Sequence, residues 1–81
     1  KVKIYTFSAC PYCTRAKRIF VAKEIKYEEV DITKDRATLN ELKKQTNCST
    51  VPQIFIDNVF VGGCDDILTL ERDKKLDDLI K

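Results

Sequence analysis

The sequence predicts a small α/β domain in which a mixed four-stranded sheet is flanked by helices. Three observations support this. Short β-branched segments alternate with segments that carry apolar residues at helical spacing, in the order β-α-β-α-β-β-α. The first crossover is long enough to join two parallel strands, whereas the last two strands are joined by a tight turn and should be antiparallel. The chain has 81 residues without a repeat or linker, so we expect one domain, residues 1–81.

The first half of the chain predicts two strands with a helix between them. VKIYTF, residues 2–7, is β-branched and aromatic and predicts a strand that is largely buried on both faces. Pro11 suits the first turn of a helix, because that position needs no N–H group. The helix runs from Tyr12 to about Lys23, and KYEEVDI, residues 26–32, predicts the second strand.

The second half predicts a helix, a hairpin and a further helix. Thr33 and Asp35 are both candidates to cap the second helix. QIFIDNVFVGG, residues 53–63, predicts a hairpin that turns at Asp57-Asn58. The second helix should carry Leu39 and Leu42 inward. The third helix should contain Ile67, Leu68 and Leu70, and a last amphipathic turn or two should contain Leu76, Leu79 and Ile80.

The composition excludes several classes of protein. A net charge of +2 is too small for a typical nucleic-acid binder of this size, and no apolar run approaches the roughly 18 residues of a membrane span. Four cysteines are too few for a disulfide-stapled miniprotein, and only Cys10 and Cys13 lie close together. We therefore expect a monomer in a reducing compartment, the cytoplasm, without a nucleic-acid or membrane partner.

The segment CPYC, residues 10–13, predicts a dithiol redox site. It lies between a strand and the start of a helix, where unpaired N–H groups and the helix dipole stabilise a thiolate. Cys10 is therefore the expected nucleophile and Cys13, inside the first turn, the resolving thiol. A zinc site is disfavoured because His is absent and Cys48 and Cys64 are far apart, so we expect no metal. A structural disulfide across so short a loop would stabilise little.

A basic stretch follows the motif directly. Its interpretation stays open between a solvated helix face and a surface that attracts anionic substrates. It consists of Arg15, Lys17, Arg18, Lys23 and Lys26.

Three segments together resemble the signature segments of the glutaredoxin family, in particular its short bacterial dithiol members. They are CPYC, TVPQIFID at residues 50–57 and GGCDD at residues 62–66, and the resemblance covers essentially the whole chain. It implies a thioredoxin-like fold and a glutathione-dependent thiol–disulfide oxidoreductase that reduces protein disulfides and glutathione mixed disulfides. Glutathione is then a co-substrate, no cofactor is tightly bound, and the partners are disulfide-containing or glutathionylated proteins.

The resemblance also implies residues that bind glutathione. The Val51-Pro52 bond should be cis, with the Val51 backbone beside Cys10 and paired with the cysteinyl unit of glutathione. Thr50 belongs to the same segment, and Tyr12 should be exposed beside the thiols and pack on the tripeptide.

The GGCDD segment should hold the γ-glutamyl end of glutathione. The backbone N–H groups of Cys64 and Asp65 would bind its carboxylate at a helix N-terminus. An Asp65 or Asp66 carboxylate would take its ammonium; the alternative is that these acids only complement the helix dipole.

One position departs from the family pattern. Members usually carry Lys or Arg three residues before the nucleophile, facing the glycyl carboxylate of glutathione, and here that residue is Phe7. Leu39 stands near the position of a second common polar contact. Arg36, Asn40 and Lys43 are candidates to replace these contacts.

Two other functions stay open. A thioredoxin-like reductant served by a flavoenzyme would usually have Trp before the motif and Gly-Pro within it, but this chain has no Trp and has Pro-Tyr. A homodimer that holds a [2Fe–2S] cluster through Cys10 and glutathione is disfavoured by Pro11, because cluster-binding relatives generally have a more open motif.

Overall fold

The computed structural model describes residues 1–76 and contains the predicted order of elements. The strands are β1 (Val2–Thr6), β2 (Tyr27–Asp31), β3 (Gln53–Ile56) and β4 (Val59–Gly62). The helices are α1 (Pro11–Ala22), α2 (Arg36–Thr46) and α3 (Cys64–Arg72). The sheet order is β2-β1-β3-β4, with β1 parallel to β2 and antiparallel to β3, and with β3 antiparallel to β4. The predicted mixed sheet is therefore confirmed.

The core lies between one face of the sheet and the helices α1 and α3. Strand β1 turns Val2 and Ile4 into it, while the intervening Lys3 and Tyr5 are only half-buried, so burial of this strand is less complete than predicted. Burying each large apolar side chain contributes about 1.5–3 kcal/mol before entropic costs. The buried members of this core are Val2, Ile4, Ala16, Phe20, Ile54, Ile56, Cys64, Ile67 and Leu76.

The observed boundaries refine the predicted ones. Helix α1 begins at Pro11, as expected for a proline in the first turn, and ends at Ala22, one residue before the predicted end at about Lys23. Ile32 is buried but follows the end of β2. Asp35, not Thr33, caps α2: its Oδ1 accepts a hydrogen bond from the Thr38 N–H at 3.0 Å.

Four further expectations concern the rest of the chain. Leu42 is buried and Leu39 half-buried, as expected for the inner face of α2. Asp57 and Asn58 have φ values of 52° and 69°, as a tight hairpin turn with both central residues at positive φ requires. Leu68 belongs to α3, as predicted, and is 40% exposed. Of the residues in the predicted final amphipathic turn, Leu76 is buried, and Leu79 and Ile80 lie outside the described residues.

Candidate active site

Cys10 is the N-cap residue of α1. Its backbone is extended (φ −118°, ψ 107°), and its Sγ accepts a hydrogen bond from the Cys13 N–H at 3.2 Å. The loop from Phe7 to Ala9 joins β1 to this cap, so the strand and the helix together fix the position of the sulfur. Because the thiol is partly exposed at the start of a helix, it is accessible to an external disulfide.

Cys13 lies in the first turn of α1 and is 1% exposed. Burial, and then a hydrogen bond to Cys10, raises the pKa of Cys13 from 9.0 to about 12, while the Phe7 N–H acts in the opposite direction. The two thiols therefore differ as the sequence predicts: an accessible one at the cap and a covered, protonated one behind it.

The Val51-Pro52 peptide bond is cis, as the resemblance implied. The Cys10 thiol donates a weak hydrogen bond to the Val51 carbonyl oxygen, with an S···O distance of 3.9 Å. Val51 is half-buried and Pro52 is buried. The loop before β3 thus presents the Val51 backbone to the sulfur of Cys10.

Gln53 holds this loop in place, and the sequence did not indicate that role. Its side chain is buried, and its Nε2 donates to the carbonyl oxygens of Cys48 at 2.8 Å and Thr50 at 3.1 Å. Its Oε1 accepts from the Thr46 hydroxyl at 3.0 Å. The available signal was a lone polar residue at the start of an apolar strand, since a buried amide needs such partners.

The N-terminus of α3 faces the same region. Gly63 is its N-cap, and the Asp66 Oδ2 accepts a hydrogen bond from the Gly63 N–H at 3.0 Å. Cys64 and Asp65 occupy the first two helical positions, so their N–H groups have no partner within the helix. Gly62 has φ +139°, and a Cβ there would collide with the Asp66 carboxylate.

A groove of about 610 Å³ lies between Tyr12 of α1, the loop before β3 and the N-terminus of α3, and Cys10 is adjacent to it through Val51 but does not line it. It contains every residue that the resemblance assigned to glutathione binding: Tyr12, Thr50, Val51, Pro52, Cys64, Asp65 and Asp66. It also contains residues to which the sequence gave no such role: Cys48, Gln53, Phe60, Val61, Gly62 and Gly63. Tyr12 is 55% exposed, as expected, and its ring lies 5.9 Å from the Arg15 guanidinium carbon.

Phe7 lies in a separate, smaller cavity of about 300 Å³. It is half-buried and lies outside the core cluster. Of the three candidate replacements for the missing cation, Arg36 and Asn40 line this cavity together with Leu39, whereas Lys43 does not line it. The N-terminal turns of α2 therefore face Phe7 near the active-site loop.

The remaining thiols differ in accessibility. Cys48 is exposed, whereas Cys64 is buried, and its pKa is raised chiefly by burial and further by the Asp65 charge. Within residues 1–76, no cluster of three or more His, Cys, Asp or Glu side chains could hold a metal ion. No helix in that same range is long and apolar enough to cross a membrane.

Comparison with known proteins agrees with this geometry. The family profile described as Glutaredoxin matches residues 2–61. Glutaredoxin 1 of Rickettsia typhi is 46% identical over 80 residues, which cover 96% of this chain and 77% of that protein. Glutaredoxin 3 of Escherichia coli K12 is 44% identical over 80 residues, which cover 99% of this chain and 96% of that protein.

A solved structure supports the fold. The buckwheat glutaredoxin–glutathione complex superposes with a TM-score of 0.94 at 28% identity, over 98% of this chain and 74% of that one. The thioredoxin-like fold and the thiol–disulfide oxidoreductase activity predicted from the sequence are thereby confirmed. The chain belongs to the glutaredoxin family.

Proposed function

We propose that the chain reduces disulfides with electrons from glutathione, with Cys10 as the nucleophile and Cys13 as the resolving thiol. The observation that carries this proposal is the contrast between the accessible Cys10 sulfur at the helix N-terminus and the buried Cys13 thiol one turn away. The enzyme needs no tightly bound cofactor for this chemistry, because both electrons move through sulfur.

For a protein disulfide, the Cys10 thiolate attacks one sulfur, and the other leaves as a thiolate that takes a proton. Cys13 then loses its proton and attacks the Cys10 sulfur, which forms the Cys10–Cys13 disulfide and releases the second substrate thiol. Two glutathione molecules restore the dithiol and leave as glutathione disulfide. A glutathione mixed disulfide needs Cys10 alone, since a second glutathione removes the one that Cys10 has taken.

The groove offers glutathione a backbone partner beside the nucleophile. When Cys10 ionises it no longer donates to the Val51 carbonyl, which frees that oxygen for the cysteinyl N–H of glutathione. Tyr12 and Thr50 line the groove and flank the tripeptide. The buckwheat glutaredoxin on which this chain superposes forms a complex with glutathione, and that similarity supports the assignment.

The γ-glutamyl end fits the N-terminus of α3. The free N–H groups of Cys64 and Asp65 would bind its carboxylate. Asp65 and Asp66 are both exposed and both line the groove, but the Asp66 carboxylate already accepts from the Gly63 N–H, so we assign the ammonium contact to Asp65 first. For the glycyl carboxylate we assign Arg36, the cation that shares a cavity with Phe7.

The expected partners are glutathione and proteins that carry disulfides or mixed disulfides. We further propose a monomer of one domain that works in the cytoplasm. The four cysteines are free thiols, which suits a reducing compartment.

Two variants and two substrates test the assignment of the thiols. Cys13→Ser should keep turnover of a glutathione mixed disulfide and lose most protein-disulfide reduction, whereas Cys10→Ser should lose both. Turnover coupled to glutathione reductase measures each. Loss of both activities in Cys13→Ser with an unchanged thermal midpoint would reverse the two assignments.

A further inference from the structure

A polar network lies directly behind the buried thiol. Lys17 is one helical turn after Cys13 on α1, and its Nζ lies 3.0 Å from the Glu29 Oε2 on β2. The same Oε2 accepts a hydrogen bond from the Thr6 hydroxyl at 2.8 Å, and Thr6 is fully buried at the end of β1. The ammonium of Lys17 is thus fixed by residues of two neighbouring strands, and its side chain is 29% exposed.

The Lys17 charge acts on Cys13. Residues four apart on a helix are neighbours on one face, which brings the ammonium near the buried sulfur. It lowers the pKa of Cys13, against the larger raising effects of burial and of Cys10. The Glu29 hydrogen bond is the main cause that raises the pKa of Lys17, and Cys13 adds a smaller effect in the same direction. Thr6 first and Lys17 second lower the pKa of Glu29, so the pair is ionised in neutral solution.

We propose that Lys17 is a positioning residue for the resolving step, in which its fixed ammonium favours the thiolate of Cys13. The proposal rests on the proposed role of Cys13. In the mixed disulfide, the Cys10 sulfur is bonded to the substrate and carries no negative charge. Burial then opposes ionisation of Cys13, and the Phe7 N–H and the Lys17 ammonium favour it.

The other charged groups around the network do not change this direction. Tyr27 and Glu29 act on Lys17 from β2, and Asp31 acts on Glu29. Tyr27 and Glu29 raise the pKa of Lys17 and so favour its charge, whereas the Asp31 charge raises the pKa of Glu29 and opposes its ionisation, a smaller effect than the lowering by Thr6 and Lys17. Of the basic stretch after CPYC, Lys17 therefore belongs to the redox site, whereas Lys23 pairs with Glu71 on α3.

The experiment measures ring closure directly. The Cys10–glutathione mixed disulfide is formed at acidic pH, where Cys13 is protonated, and is then brought to a series of higher pH values. Cys13 attacks Cys10, the Cys10–glutathione bond breaks, and free glutathione is quantified after quenching. Lys17→Gln should slow closure by up to about fivefold near neutral pH, which corresponds to the energies that partly exposed charge pairs give. It should also move the pH midpoint of closure upward, whereas Lys17→Arg should restore both.

Three comparisons separate charge from structure. Lys23→Gln removes a matched ion pair at the C-cap of the same helix, with a 3.0 Å contact and similar exposure, and should leave closure unchanged. Glu29→Gln releases the Lys17 ammonium and should slow closure in part. Lys17→Gln combined with Glu29→Gln should remain slow; recovery there would mean that an unpaired Glu29, not the missing cation, had caused the effect, and would overturn the proposal.

The outcomes also distinguish this proposal from the proposed function. Normal closure with an unmoved midpoint in a folded Lys17→Gln protein would overturn the role of Lys17 alone. If Cys13→Ser kept full protein-disulfide reduction, the resolving role of Cys13 and with it the role of Lys17 would both fail. In the Cys13→Ser background, turnover of glutathione mixed disulfides should not respond to Lys17→Gln, since no resolving thiol is present.

Discussion

The N-termini of α1 and α2 are capped by the same geometry with different chemical groups. At α1, the Cys10 sulfur accepts from the N–H three residues later at 3.2 Å. At α2, the Asp35 Oδ1 accepts from the N–H three residues later at 3.0 Å. The Asp35 carboxylate also accepts from the Thr38 hydroxyl at 2.6 Å, so the α2 cap is closed by local partners.

The difference teaches what distinguishes a functional cap from a structural one. Both caps satisfy a free N–H group at the start of a helix. The carboxylate of Asp35 accepts from the N–H and hydroxyl of Thr38 in the first turn of α2, whereas the sulfur of Cys10 also has an exposed side and a reactive lone pair. The N-terminus of α1 favours a negative charge, and the proposed reaction needs that charge on the Cys10 sulfur.

The largest effect should come from Cys10→Ser. Serine is a good N-cap residue, so the helix should keep its cap and the thermal midpoint should stay within about two degrees of the wild type. Activity towards both disulfide substrates should disappear, because a serine hydroxyl cannot replace the thiolate. Calorimetry and the coupled assay measure the two quantities on one preparation. A large loss of stability would mean that the sulfur is also needed for packing.

Gly62→Ala should have the next largest effect, at the N-terminus of α3. The new Cβ would collide with the Asp66 carboxylate, and the backbone at this position has a conformation that L-residues rarely adopt. We therefore expect the free energy of unfolding to fall by about 1–3 kcal/mol. The Michaelis constant for glutathione mixed disulfides should rise, because the displaced Asp66 no longer supports the cap.

Gly63→Ala is the matched control for that variant. Its Cβ would approach the Pro52 carbonyl oxygen at 3.2 Å, a tight contact that a small shift can relieve. Chemical denaturation should give Gly63→Ala a free energy of unfolding between those of the wild type and Gly62→Ala. If the two glycine variants lost equal amounts of stability, the special role assigned to position 62 would be contradicted.

Asp35→Ala should have a smaller effect, and on stability only. Loss of the α2 cap should lower the thermal midpoint by a few degrees. Turnover should be unchanged per folded molecule, in contrast to Cys10→Ser. Asp35→Asn keeps a capping oxygen and should lie close to the wild type, and a fall in activity of Asp35→Ala would show that the two caps are not functionally separate.

The smallest effect should be the pH dependence of the contribution that Asp35 makes to the stability of the folded protein. The Thr38 hydroxyl first, and then the Thr38 N–H, hold the pKa of Asp35 below its ordinary value of 3.8. A lowered folded-state pKa contributes stability above the unfolded value that is lost as pH falls through the folded one. The stability difference between wild type and Asp35→Ala, measured by urea titration, should be constant near neutral pH and shrink below 3.8. A constant difference down to strongly acidic pH would contradict the charged cap.

Local patterns made much of the fold predictable. The cap at Cys10, the proline at the start of α1 and the turn at Asp57-Asn58 each depend on residues that are neighbours in sequence. The groove assignments were predictable for a different reason, because three segments of the chain resemble those of one family. No local pattern distinguished Thr33 from Asp35 as the α2 cap, since both are good capping residues.

Contacts between distant segments were not predictable. Lys17 and Glu29 meet because β2 lies beside β1 and beneath α1, which the charge pattern alone does not specify. Phe7 follows the end of β1, and Arg36 begins α2. The two residues line one cavity because the fold brings the end of β1 close to the start of α2. Partners of this kind follow from strand register and helix position rather than from spacing.

The buried Gln53 amide has a consequence for the thermodynamics of binding. It ties the carbonyls of Cys48 and Thr50 to β3 before any ligand arrives. Ordering a free loop costs about 1–2 kcal/mol of conformational entropy per residue. Because folding has already met that cost, a tripeptide that docks along Val51 loses mainly its own freedom. The groove is therefore preorganised, and most of the energy of each backbone contact should appear as affinity.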